Sequence, residues 1–209
     1  MELEYVLPGD IEKRSFEIID AELKNNGIHL DDKNRLVIMR AIHTSADLEY
    51  ARTLRFSEDA VAKAQELIKN GADIVTDTNM ALSGISKKTL ARYGGEVHCF
   101  MADPEVAAKA SEMQVTRAYI SMRKAAETIK KPVIFAIGNA PTALVSLHEM
   151  MEEGSYQPAF VIGVPVGFVN VVAAKELIVN DKVDSIVNIG RKGGSNIAAA
   201  IVNALLYTI

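Results

Sequence analysis

The chain has one cysteine, no tryptophan and 6 prolines among 209 residues. A lone Cys99 excludes an internal disulfide, and no Cys/His grouping has zinc spacing, so neither a cystine nor a zinc framework is expected. Positive charge is also short. The 23 Lys and Arg residues face 27 Asp and Glu residues, for a net charge of −4, with no basic run and no aromatic ladder among the cations. That balance excludes a nucleic-acid footprint. No apolar run reaches the roughly 18 residues that a membrane span needs, and the opening MELEYVLPGD is acidic, without the apolar core of a signal segment. These absences predict a cytoplasmic protein with no membrane or nucleic-acid partner. What remains is 49% hydrophobic and 24% charged, ordinary for one globular domain over 1–209 with its own core.

Pro8-Gly9-Asp10 reads as a turn with an N-cap. Ile11, Ser15, Ile18 and Ala21 mark one stripe of a first helix, which stops near Asn25-Asn26-Gly27. A second helix starts near Asp32, the stretch from Leu48 to Phe56 carries no clear period, and Ser57-Glu58-Asp59 caps a third helix that stops at Asn70-Gly71. From there short apolar runs alternate with longer amphipathic ones. Strands are expected at 73–76, 96–101, 132–137, 158–164 and 185–189. The intervening helices are 86–93, a segment from 103 to 130 broken near Met113-Gln114, 141–153, 168–180 and 195–207. Continuous apolar strands with intervening helices predict a three-layer α/β/α domain, with a five-stranded, mainly parallel sheet and extra N-terminal helices. In such sheets ligands bind beyond the carboxyl ends of the strands. The five loops there, DTNMALSG, Ala102-Asp103, GNAPT, PVG and GRKGGSN, are rich in Gly, hydroxyls and amides, and so can offer N–H groups to an anion.

The octapeptide RAIHTSAD, residues 40–47, carries the densest chemistry. Leu36, Met39, Arg40 and His43 share a helical face. A guanidinium one turn before an imidazole can hold an anion and deliver a proton to it. The plainer alternative puts His43 on the last carbonyls of its helix and Arg40 in a surface ion pair. Ser15 either bonds the Ile11 carbonyl or faces a ligand. GRKGGSN is an anion-cradling turn or a plain strand-to-helix turn, and it fits neither common nucleotide fingerprint. Asp77 suits a structural or ligand-orienting role, and Arg117 and Arg123 either reach a cleft or stay on the surface. His98 reads as a hydrogen-bonded core histidine, His148 lacks the second histidine of a metalloprotease-type site, and Cys99 reads as inert. The final helix is apolar almost all round, so it belongs in the core or at a subunit interface.

RAIHTSAD, DTNMALSGI, GNAPTAL, IGVPVGFVNVVAAKE and GRKGGSNIAAAIVNAL, in this order, resemble the precorrin-8X and cobalt-precorrin-8 methylmutases of cobalamin biosynthesis, from about Tyr5 to Leu206. The resemblance implies a flavodoxin-like fold, a homodimer whose active site is shared across the interface, and no cofactor and no metal beyond cobalt the substrate itself carries. It implies an isomerase that moves a methyl group from C-11 to C-12 of the tetrapyrrole to give hydrogenobyrinate or cobyrinate. The family's histidine falls on His43, as proton donor or acceptor to the ring. For the carboxylate rim it points to Arg40, Arg117, Arg191 and Lys192, and for hydroxyl contacts to Ser15, Thr44, Thr78 and Ser83. Met80, Leu82, Gly84 and Val164 would lie against the macrocycle. A non-catalytic corrinoid carrier and a phosphate-ligand enzyme using the GRKGGSN loop are the rival expectations.

Overall fold

Buried apolar runs at 73–76, 133–137, 160–163 and 185–188 build the centre of a sheet with both faces covered, because each run is flanked by helices long enough to cross back over it. The computed structural model describes residues 3–209. A short turn of helix at Pro8–Asp10 leads into α1 (Ile11–Asn25), α2 (Arg35–Ser45), α3 (Tyr50–Thr53), β1 (Leu54–Phe56) and α4 (Ala60–Lys69). The alternating part is β2 (Asp73–Thr76), α5 (Asn79–Gly84), α6 (Lys87–Ala91), β3 (Val97–His98), α7 (Pro104–Glu112), α8 (Arg117–Thr128), β4 (Val133–Ile137), α9 (Pro141–Glu152), β5 (Phe160–Gly163), α10 (Val171–Asn180), β6 (Ser185–Asn188) and α11 (Ser195–Tyr207).

The sheet order is β1-β6-β5-β4-β2-β3. Strands β2 to β6 are parallel, and the order reverses between β2 and β4. That is the doubly wound arrangement expected, with one correction: the sheet has six strands, not five. The extra strand, β1, lies in the stretch without a clear period and runs antiparallel to β6, with Leu54 opposite Asn188. Three residues are too few for a periodicity to register. The edge strand β3 is shorter than the apolar run 96–101 suggests, pairing only at Val97 and His98. The short helix α5 occupies what reads as loop, and the helix expected from Phe168 starts at Val171, leaving Phe168 and Val169 exposed.

Successive strand side chains alternate between two cores. Ile74, Ile134, Phe160, Ile162 and Ile186 face α2, α4 and α11, whereas Val75, Phe135, Ile137, Val161 and Val187 face α8, α9 and α10. Helix α11 lies on the sheet with α2 along one side and α5 along the other. Gly84 allows the second approach, since a Cβ there would sit 2.9 Å from the Ala199 Cβ. Helix α2 ends on Ala46 in the left-handed conformation (φ 54°), which turns the chain sharply after the HTS tripeptide.

Candidate active site

At the reversal point between β2 and β4, Asp77 is fully buried. Its carboxylate accepts three backbone bonds, from the N–H groups of Gly138 (2.9 Å), Asn139 (2.8 Å) and Ala140 (2.6 Å). Burial pushes this carboxyl above its ordinary value, against the three amides that favour the anion. Asp77 therefore ties the loop after β4 to the end of β2, a structural task and one of the two roles its position suggested. The next residue, Thr78, caps α5 through the Ala81 N–H (3.1 Å) and shares a 2.8 Å bond with the Ser195 hydroxyl at the start of α11.

The loop after β6 is held just as closely. Gly193 presses on the Val164 carbonyl so tightly that no Cβ fits there, and the Gly194 N–H donates to the same carbonyl at 2.9 Å. The buried ammonium of Lys175, from α10, donates to the carbonyls of Gly190 and Lys192, both at 2.8 Å. Asn188 donates a further 2.8 Å bond to Lys192 O and accepts one from the Thr53 hydroxyl at 2.7 Å. Burial lowers the Lys175 pKa to about 8. Because the unfolded chain keeps its proton to higher pH than the fold does, stability should rise between the folded and unfolded values. Taking pH from about 8 to about 10.5 is therefore expected to stabilise the wild type, relative to Lys175→Met, by at most about 3 kcal/mol in urea unfolding.

Helix α11 has one open stripe, Asn196, Asn203 and Tyr207 with half-buried Ala200, lying between α2 and α5. On the α2 side stand His43 and Thr44, both exposed, and half-buried Arg40. On the α5 side stand Met80, Ser83 and Gly84, exposed, and Leu82, half-buried. Asn203 crosses to that side by donating to Gly84 O (2.8 Å) and accepting from Ser86 N (2.9 Å). The GRKGGSN loop closes the upper end, where Lys192 reaches Asp47 and Glu49 beyond α2, both at 2.6 Å. That contact and the Glu49 N–H hold the Asp47 carboxyl below its ordinary value. The result is a shallow open groove floored by Asn196, Ala200, Asn203 and Tyr207, with an imidazole on one wall and the Arg191-Lys192 loop at its head.

The other residues singled out from the sequence sort themselves by geometry. Arg40 lies between the rings of Phe16 (5.2 Å) and Tyr207 (5.6 Å), half-buried, and is ion-paired to the exposed Glu12. Its buried Nε has no partner among the described residues. The His43 ring meets Phe16 edge-on at 5.6 Å. Ser15 bonds Ile11 O at 2.9 Å and lines a cleft of about 260 Å³ between α1 and the end of α2. Val164 is buried beneath the loop rather than open to a ligand. Arg191 lies over the exposed Phe168 ring at 5.4 Å. Arg117 starts α8, on the opposite face of the sheet from α2, and is exposed. The Thr116–Thr142 hydroxyl bond (2.6 Å) places that helix start beside the loop after β4. Arg123 is tied to Glu153 at 3.0 Å, on the surface. His98 bonds Asp73 at 3.3 Å. His148 bonds Asp181 at 3.0 Å with Glu152 nearby, a grouping that sequence spacing does not reveal.

Missed in the sequence were Lys175, Asn188 and Ser195. A lysine inside the apolar run VVAAKELIV was the available signal for the first. Ser195 lies inside the GRKGGSN strand-end loop without being singled out there, and no sequence cue marks Asn188.

With this geometry in hand, residues 10–208 match the family model described as CbiC, precorrin-8X methylmutase. The chain belongs to the precorrin-8X methylmutase family. It is 42% identical over 201 residues to the cobalt-precorrin-8 methylmutase of Priestia megaterium, covering 96% of this chain and 88% of the relative. Identity to the cobalt-precorrin-8 methylmutase of Salmonella typhimurium is 40% over 205 residues, covering 96% and 95%. The crystal structure of precorrin-8X methylmutase from Thermus thermophilus superposes with a TM-score of 0.84 at 38% identity, covering 95% of this chain and 96% of that one. Membership makes the chain an isomerase of the methylmutase type, at work in cobalamin biosynthesis. No described helix is long and apolar enough to cross a membrane.

Proposed function

We propose that the chain moves a methyl group from C-11 to C-12 of precorrin-8X or cobalt-precorrin-8, giving hydrogenobyrinate or cobyrinate, with His43 as the proton donor and acceptor. The reading rests on one observation above all: the open stripe of α11, Asn196, Ala200, Asn203 and Tyr207, with His43 on one wall and the 190–194 loop that carries Arg191 and Lys192 at its head. A macrocycle fringed with carboxylates needs a broad, weakly polar bed and cations at the rim, and that combination is what the groove offers.

The shift is intramolecular, so no atom is gained or lost. One C–C bond breaks at C-11 and one forms at C-12, and the ring double bonds move in compensation. His43 lends a proton or a hydrogen bond to the ring nitrogen beside the migration centre, draws electron density from the terminus, and recovers the proton when the conjugation resettles. The enzyme's share is to hold the ring in a reactive conformation with its donors already in place. It draws on no resident cofactor or metal, and any cobalt belongs to the substrate. Rim carboxylates pair with Arg191 and with Lys192, which exchanges Asp47 and Glu49 for them, Thr44, Thr78 and Ser83 supply hydroxyls, and Arg117, on the opposite face of the sheet, takes no part.

The groove is open along its length, and Tyr5, Leu7, Ile11, Met80, Phe168 and Val169 are apolar and at least half exposed. A second copy covering these groups makes a homodimer with a shared site, which we place in the cytoplasm. Visible absorption tests the reading, since moving the methyl changes which ring carbons are conjugated. Catalytic protein mixed with the C-11 methylated precursor, with or without cobalt, is expected to give a full time-dependent spectral change. Sedimentation should report a dimer. An immediate change saturating at one ligand per site would make the chain a carrier, and stabilisation by sugar phosphates alone would make it a phosphate-ligand enzyme.

A further inference from the structure

Lys175 stands in the middle of α10, wholly buried, and among the described residues no carboxylate pairs with it. An ammonium kept dry without a counter-charge is costly, and an apolar residue of similar volume would pack there more cheaply. What it does hold is the shape of one turn. A trans peptide is planar, with its C=O and N–H on opposite sides. The carbonyls of Gly190 and Lys192 point at Lys175, so the N–H groups in the same peptide units, those of Arg191 and Gly193, point away from it. Neither amide donates to another group among the described residues. The carbonyl between them, that of Arg191, accepts from the Gly167 N–H at 3.1 Å, which fixes the turn from the neighbouring loop.

We propose that Lys175 is a positioning residue of the methylmutase site: it sets the 190–194 turn so that the Arg191 and Gly193 amides face outward and bind a carboxylate of the substrate's rim. This rests on the tetrapyrrole reading above. Lys175 touches no ligand itself; it acts through the peptide units it grips. The same grip holds in place the segment from which Arg191 and Lys192 extend, at the head of the groove.

The test compares the wild type with Lys175→Met, which keeps the volume and removes the donors, and with Lys175→Gln, whose amide can still donate twice. Lys175→Met is expected to raise KM by about 10- to 100-fold, the value of a charge-assisted bond or two. Its kcat per folded molecule should stay within about threefold, because rim binding is shared by ground and transition states. Lys175→Gln should recover part of the loss. Converting the ligand carboxylates to amides should weaken binding to the wild type and barely change binding to Lys175→Met, a loss of discrimination that a purely structural lysine would not produce. Hydrogen exchange in the wild type is independent of whether the variants fold: saturating product should slow the Arg191 and Gly193 amides. Wild-type KM in folded Lys175→Met, or no change in those two amides, overturns the proposal. If the wild type binds the tetrapyrrole without converting it, the methylmutase reading falls while the binding ratios still judge Lys175. If it binds no tetrapyrrole, both fall.

Discussion

His43→Ala is expected to lower kcat by about 10²- to 10⁴-fold, the usual worth of a positioned proton donor, while leaving the fold intact. The second half follows from exposure: His43 lies on the outer side of α2, where its ring meets the edge-on ring of Phe16 at 5.6 Å. Truncating such a side chain should cost about 1 kcal/mol or less, so a lost activity cannot be put down to lost protein. Product should still bind, because the bed of α11 and the loop cations are untouched. His43→Asn refines the result. An asparagine can donate a hydrogen bond to the ring nitrogen but cannot pass it a proton, so partial activity would assign the effect to hydrogen bonding and none would assign it to proton transfer. Single-turnover spectra with the C-11 methylated precursor make the measurement. Undiminished turnover in His43→Ala would remove the imidazole from the mechanism.

Much of the scaffold was legible because buried parallel strands leave an unmistakable apolar run and Pro or Gly marks their boundaries. β4 and β5 stand out in this way, and so does the break at Met113-Gln114, where Gln114 adopts a left-handed conformation (φ 54°). What escaped was whatever depends on pairing across the chain. The three residues of β1 become a strand only because β6 offers them an edge, and α5 becomes a helix because Thr78 caps it and α11 receives it. The site divides along the same line. His43 announced itself as an imidazole one turn from a guanidinium, yet nothing local says that Arg40 is occupied by Glu12, Phe16 and Tyr207. Nor could spacing show that Lys192 reaches Asp47 and Glu49, some 145 and 143 positions away. Those pairings bind α2 to the strand-end loop and so make one groove of two distant motifs.

The largest expected effect on stability belongs to Asp77. Asp77→Ala leaves three backbone N–H groups, those of Gly138, Asn139 and Ala140, without their acceptor at a site closed to solvent on the Asp77 side. An orphaned donor costs about 1–3 kcal/mol, most at the buried Gly138 N–H and least at those of exposed Asn139 and half-buried Ala140. Allowing for relaxation of the loop and entry of water, the sum is expected to be about 3–5 kcal/mol. In a chain of this size that lowers Tm by roughly 10 °C, which differential scanning calorimetry reads directly. Asp77→Asn should fall between. Its oxygen can keep the two bonds to Asn139 and Ala140, but its amide then faces the Gly138 N–H, donor against donor. The consequence reaches the site because Gly138 is pressed against Gly194 and Ser195: a Cβ on it would lie 2.8 Å from the Gly194 carbonyl oxygen. Loosening the loop after β4 therefore loosens the start of α11, where the Thr78–Ser195 bond holds the upper end of the groove. Turnover in Asp77→Asn, measured below its own Tm, should fall more than its folded fraction does. A variant that loses stability but keeps full turnover per folded molecule would confine Asp77 to the scaffold and detach the reversal point of the sheet from the chemistry.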